Sequence, residues 1–137
     1  MIIADTGFWL ALANRKDKYH LQAVSTLRQI NEDLITTWPV FTECCHLLLT
    51  RLSSDAQIKF IRSIMAGAAN IFAIKNEHMP RIAMLMEEYH DLPMDLADAS
   101  LVILAECLGS GRILSTDQRD FHTYRWKSHK PFKNLLL

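Results

Sequence analysis

The chain has 137 residues, half of them apolar and 22% charged, which suits one domain around one core and excludes a disordered protein. Fifteen basic and fifteen acidic residues cancel, so overall charge does not advertise a nucleic-acid partner. No apolar stretch approaches the roughly eighteen residues a membrane span needs. The N-terminus lacks a basic region and Asp5 interrupts its first apolar run, so no signal peptide is read and the expected location is cytoplasmic.

Met1–Ala4 is a short β-branched run that reads as a buried strand ended by Asp5. Thr6–Asn14 turns helical, and His20–Asn31 is a second predicted helix, with Leu21, Val24, Leu27 and Ile30 at spacing three. Leu34–Trp38 is the next strand, and Pro39 suits the first turn of a helix running to about Leu52. Ser53–Ser54–Asp55 breaks that helix and can cap another over Ala56–Ala68. Ile71–Lys75 is the third strand, followed by a helix over Glu77–Tyr89 and a loop at His90–Met94. Asp95–Leu108 is helical and stops at Gly109 and Gly111; Arg112–Thr116 is the fourth strand. Asn134–Leu137 is either a fifth strand or a docked tail.

Strands alternating with helices imply βαβ units and a parallel sheet covered on both faces. Ile2, Ile3, Ile35, Ile71, Ile74, Ile113 and Leu114 fit strands buried on both sides. With no repeat and no linker, residues 1–137 form one domain. Cys44, Cys45 and Cys107 have no metal-ligand spacing and read as buried, reduced thiols. Trp9 and Trp38 are core candidates, whereas Trp126 lies among basic residues and can meet nucleic acid, with Tyr124 a weaker candidate. From Arg112 to Leu137 six basic residues face two acidic ones. Arg119, Arg125, Lys127 and Lys130 are therefore candidate phosphate contacts, against the plain alternative of a solvated surface.

Ligands of a parallel α/β sheet bind outside the carboxyl ends of its strands. Asp5 and Asp117 each follow a strand, so both fall at that edge. Glu43 comes early in the helix after the second strand, and Asp98 comes early in the Asp95–Leu108 helix. If that helix starts at the same edge, four carboxylates converge on one crevice. Such a cluster repels itself unless cations fill it, and Mg²⁺ and Mn²⁺ prefer oxygen ligands. Helix capping competes with this reading: Asp95 and Asp98, like Asp117 and Asp120, have the spacing of an N-cap and its third helical residue. Asp5 is harder to assign that way, because an acid ending a buried strand needs a metal or hydrogen bonds.

The segments IIADTGFWLAL, TTWPVFTECCHLL, MDLADASLVILAE and RILSTDQRDF resemble, in order and spacing, the four acidic motifs of the PIN-domain family, which includes ribonuclease toxins of the VapC type. The resemblance implies a three-layer α/β/α domain with a central parallel sheet of four or five strands. It also implies hydrolysis of RNA phosphodiester bonds with one or two Mg²⁺ or Mn²⁺ ions. Asp5, Glu43, Asp98 and Asp117 match the metal-binding acids, with Thr6, Thr116, Asp95 and Asp120 as accessory residues. The implied partners are RNA, a small antitoxin protein and a second copy of the chain. The apolar early helices, with Phe8, Leu10, Leu12, Leu47, Leu48, Leu49 and Leu52, leave room for such a dimer face. The competing readings are a non-catalytic RNA- or partner-binding module, and a Mg²⁺-dependent DNA nuclease or phosphatase on a similar sheet.

Overall fold

The computed structural model describes residues 1–137. Five strands, β1 (Ile2–Ala4), β2 (Leu34–Thr37), β3 (Asn70–Phe72), β4 (Arg112–Leu114) and, last in the chain, β7 (Lys133–Asn134), form one sheet in the order β3-β2-β1-β4-β7. Every pairing in it is parallel. Parallel strands require crossovers, and helices supply them. These are α1 (Thr6–Ala13) and α2 (His20–Gln29) after β1, and α3 (Trp38–Arg51) and α4 (Ser54–Met65) after β2. A 3₁₀ turn (Asn76–His78), α5 (Met79–Glu88) and α6 (Leu96–Leu108) then lead to β4. After β4 come α7 (Gln118–Thr123) and a small antiparallel hairpin of β5 (Arg125–Trp126) and β6 (Lys130–Pro131). The domain is thus the α/β/α sandwich expected, with five strands.

Local chemistry sets the boundaries. Thr37 and Ser53 cap α3 and α4, their hydroxyls accepting from Val40 N and Ala56 N. Helix α6 ends at Gly109 in the left-handed conformation, φ 69°, a shape that favours glycine. The same helix is the most deeply buried: Ala99 through Ala105 are all core, and it packs on β2, α3 and α5. The Arg81 guanidinium pins α5 to α6 by a two-pronged pair with Glu106, at 3.2 and 2.9 Å.

Several sequence expectations are corrected. In α2 the buried residue is Ala23, while Leu21 is 83% exposed and Leu27 also faces solvent. Spacing of three falls 60° short of a full turn each time, so Leu21 and Ile30 end on opposite sides of the helix. Strand β3 starts one residue early and is shorter than predicted, and as an edge strand it leaves Ile71 only half-buried. Trp38 is not core but the first residue of α3, 51% exposed. Cys107 is exposed and Cys45 only half-buried; Cys44 alone is core. At the chain's end both readings hold. Residues 133–134 pair with β4, and Leu136 docks in the core beyond them.

The basic end is more engaged than its sequence suggests. Trp126 is buried, its indole Nε1 donating to the Pro131 carbonyl at 3.1 Å, so it offers no stacking face for a base. Tyr124 is also buried. Arg125 donates to the carbonyls of His122, Thr123 and Tyr124, closing the end of α7. Arg112 forms a two-pronged pair with Glu32. Lys127 and Lys130 stay exposed beside the Trp126 ring, 5.8 and 5.0 Å from its centroid. Arg119, 79% exposed, leans on Asp120 at 3.5 Å.

Candidate active site

The chain leaves β1 toward β2 and β3 and returns to β4 on the other side, so β1 and β4 flank the reversal of strand order. Their register sets Ile3 beside Ile113 and Ala4 beside Leu114. Beyond that pair the two backbones diverge, after Asp5 N–H makes a last bond to the Leu114 carbonyl at 3.0 Å. Asp5 and the Ser115–Thr116–Asp117 segment are therefore fixed on either side of one crevice.

Asp5, only 7% exposed, caps α1. Its Oδ1 accepts from Thr6 N–H at 2.7 Å and its Oδ2 from the Ser115 hydroxyl at 2.9 Å. Burial lifts its pKa to about 7; the bonds from Thr6 and Ser115 oppose that rise, and the charges of Glu43 and Asp117 add to it. Ser115 also accepts from Asp117 N–H at 3.0 Å, so one buried hydroxyl ties the first acid to the last. Asp117 caps α7 through Oδ1 to Asp120 N–H at 3.1 Å.

Asp98 and Asp95 form a reciprocal capping box at the start of α6, at 2.8 and 3.3 Å. The Tyr124 hydroxyl reaches Asp98 Oδ2 at 3.4 Å. Burial first, then the charges of Asp95 and Asp5, push the Asp98 carboxyl well above the ordinary range. Burial likewise raises Glu43, with Asp95 adding and the neighbouring Thr6 hydroxyl opposing. Asp120 rises as well, through burial and then Asp117. Glu43, Asp98 and Asp117 all remain half-buried, open to the crevice. Capping and site readings are thus not exclusive: the caps hold three aspartates at one edge of the sheet.

The structure brings Asp5, Glu43, Asp98 and Asp117 into one electrostatic neighbourhood, with Thr6, Asp95 and Asp120 at its margins. No three acidic, cysteine or histidine side chains are drawn in tightly enough to enclose one ion. The donor set nonetheless fits a hard divalent cation. Asp5, Glu43, Asp98 and Asp117 offer carboxylate oxygens and Thr6 a buried hydroxyl beside Glu43. The nearest thiol, Cys44, is held protonated by burial above all, with the Asp5 charge next, so it does not compete.

Ser115 and Gly7 do not stand out in the sequence. Ser115 bears one faint signal, a polar residue directly after the apolar RIL run and two before Asp117. Gly7 sits where the start of α1 meets the loop after β4: a methyl group there would run into Thr116 Oγ1 and lie 3.1 Å from its Cβ. Ser115→Ala is expected to cost about 1–3 kcal/mol, because it strips a donor from a buried carboxylate and an acceptor from Asp117 N–H. Urea melts of the two proteins check this, and an unchanged midpoint would remove Ser115 from the site.

Sheet order, switch point and acid-bearing edge together define a PIN-like α/β/α domain. No protein-family model matches the chain. Ribonuclease VapC26 of Mycobacterium tuberculosis is 26% identical to it over 124 residues, covering 90% of this chain and 92% of that protein. The crystal structure of M. tuberculosis VapC20, a sarcin–ricin loop cleaving toxin, superposes with a TM-score of 0.81 at 18% identity, covering 87% of this chain and 92% of the other. The chain resembles the VapC-type PIN-domain ribonucleases along nearly its whole length. No helix is long and apolar enough to cross a membrane.

Proposed function

We propose that the protein is an endoribonuclease that hydrolyses RNA phosphodiester bonds with Mg²⁺ or Mn²⁺ at the Asp5, Glu43, Asp98 and Asp117 crevice. The observation that carries this reading is the burial of an aspartate at the β1/β4 switch point, with Glu43 and Asp117 near enough for their charges to act on it. Similarity to a ribonuclease over nine-tenths of both chains supports RNA as the substrate. Likeness in fold to a toxin fits a toxin's role, and the small antitoxin partner, the paired second copy and the cytoplasmic setting are part of this proposal through the PIN-family resemblance.

Asp5 and Asp98 would hold the cation directly, and Glu43 and Asp117 would complete its shell. Bound there, the ion supplies charge neutralisation at the phosphate and a water of lowered pKa. Asp5 is held in place by Thr6 N–H and Ser115, so its carboxylate need not reorganise as charge develops. Asp117 is oriented by its cap, and Tyr124 steadies Asp98 from the buried side. Exposed Arg119, Lys127 and Lys130 can attract the RNA backbone. Arg125 contributes chiefly by fixing the end of α7.

The test is direct. Purified protein should cleave single-stranded RNA in Mg²⁺ or Mn²⁺, stop on addition of EDTA, and resume when metal is restored. Cleavage that ignores EDTA, or none with either metal, would overturn the assignment.

A further inference from the structure

Beside the acids lies an open cavity of about 600 Å³, walled by Trp38, Ile74 and Leu96 and edged by Thr42, His46 and the two carboxylates Glu43 and Asp95. Its size falls within the range of small-ligand sites. Of these apolar wall residues, Trp38 and Leu96 are both about half exposed. Trp38 opens α3 rather than filling the core, and Phe41 meets its indole edge-on at 5.3 Å and 87°. That contact braces a ring that remains half exposed. An aromatic ring held half in water beside the acids is free to stack on a planar ligand.

We infer that this cavity is a nucleobase subsite, in which Trp38 stacks one unpaired base of the RNA whose phosphate reaches the adjoining acids. The inference rests on the proposed ribonuclease reading and deepens it. The choice of a base follows from the wall chemistry and from continuity with the site. A flat aromatic platform takes any base, the Thr42 hydroxyl and His46 imidazole offer polar groups to its edge, and Glu43 belongs both to this wall and to the acid cluster. A phosphate could not occupy the cavity itself, since its charged lining is acidic. Recognition is therefore by stacking on unpaired RNA, because paired bases keep their faces covered.

Trp9 and Trp126 are buried, so indole quenching by added ligand reports on Trp38. The experiment is stopped-flow mixing of the whole protein with single-stranded uridine and adenosine decamers in Mg²⁺, read before cleavage proceeds, alongside steady-state kinetics. Wild type should show quenching. Trp38→Ala should bind the decamers about tenfold more weakly, as loss of one stacked base typically does, with KM raised in step and kcat little changed. Trp38→Phe should retain most of the affinity while losing the quench. Half exposure and the Phe41 contact predict a small fall in melting temperature for Trp38→Ala and a smaller one for Trp38→Phe, both folded under the assay conditions. If wild type cleaves RNA and Trp38→Ala keeps parental affinity and KM, the subsite is refuted while the ribonuclease reading stands. If Trp38→Ala instead alters only the oligomeric state in light scattering, the face is an interface between copies and the subsite is equally refuted. If wild type neither binds nor cleaves RNA, the reading beneath fails and the subsite with it.

Discussion

Asp5→Asn is expected to cleave RNA at least about 10²-fold more slowly than the parent, as removal of a metal ligand or its electrostatics typically does, while melting at a higher temperature in EDTA at pH 8. The two effects share one cause. Asp5 is buried, and its pKa stands at about 7 against an ordinary 3.8, so the fold prefers the protonated carboxyl. That preference stabilises fully below about pH 4 and is lost as pH rises through about 7. Over that window it amounts to about 4 kcal/mol at most. Metal-free parent should therefore lose stability between pH 5 and 8, and Asp98, raised in the same direction, adds to the slope. Asparagine carries no charge there, accepts from Thr6 N–H as a cap does, and flattens the dependence. Mg²⁺ or Mn²⁺ at a hundredfold excess over Kd should stabilise the parent by about 2.7 kcal/mol and the variant much less. Thermal melts across pH, with and without metal, give all of these quantities. A parent indifferent to both pH and metal would show that the acids do not form one site.

Gly7→Ala should show the opposite pattern, a loss of stability that metal does not repair. Within a helix this change ordinarily gains about 1 kcal/mol. Here the new methyl group would collide with Thr116 Oγ1 and stand 3.1 and 3.4 Å from its Cβ and Cγ2. Only the rotamer that turns the Thr116 Cβ–H toward the methyl relieves the Oγ1 contact. That rotamer breaks the present side-chain placement and leaves Cβ at 3.1 Å, so the side chain or the loop that carries Asp117 must shift. The expected net cost is about 1–3 kcal/mol, the usual range for overpacking, with cleavage reduced as well. Thr116→Ala in the same chain should restore most of the stability, a non-additivity that a double-mutant cycle in urea would expose. A stabilised Gly7→Ala protein would mean that the contact yields freely.

How legible all this is in the sequence depends on the range of the interactions involved. Strands β1, β2 and β4 and the acids that follow them are local signals, an apolar run ended by a polar residue, and the structure has them where the sequence puts them. Because a parallel sheet sets all such strand ends on one edge, Asp5 and Asp117 share that edge whatever the strand order, and the β1–β4 pairing makes them neighbours. Partners far apart in sequence leave no such mark. Ser115 is 110 residues from Asp5, and the Thr37–Ser100 hydroxyl pair, 2.6 Å apart and buried between β2 and α6, joins residues 63 apart. Trp38 and Trp126 are misleading for a related reason. Composition makes a tryptophan beside apolar residues look buried and one beside lysines look exposed, whereas exposure follows the helix start in one case and the hairpin in the other. The β5–β6 hairpin has no sequence signal at all. Its turn places Lys127 and Ser128 at φ 49° and 67° without a glycine to announce it.

Strand β7 adds an order of events. Asn134 clasps the loop after β4 from outside, its amide donating to the Ser115 carbonyl at 2.8 Å while its Oδ1 accepts from Ser115 N–H at 3.2 Å. A ribosome makes Asp5, Glu43, Asp98 and Asp117 well before it makes that clasp. A growing chain that ends at Asp117 carries every acid but lacks the Asn134 side chain that pairs the Ser115 backbone. For a protein proposed to cut RNA, the interval matters, because the nascent chain is still attached to a ribosome. The Ser115 backbone therefore gains its last two side-chain bonds only after every acid has been made.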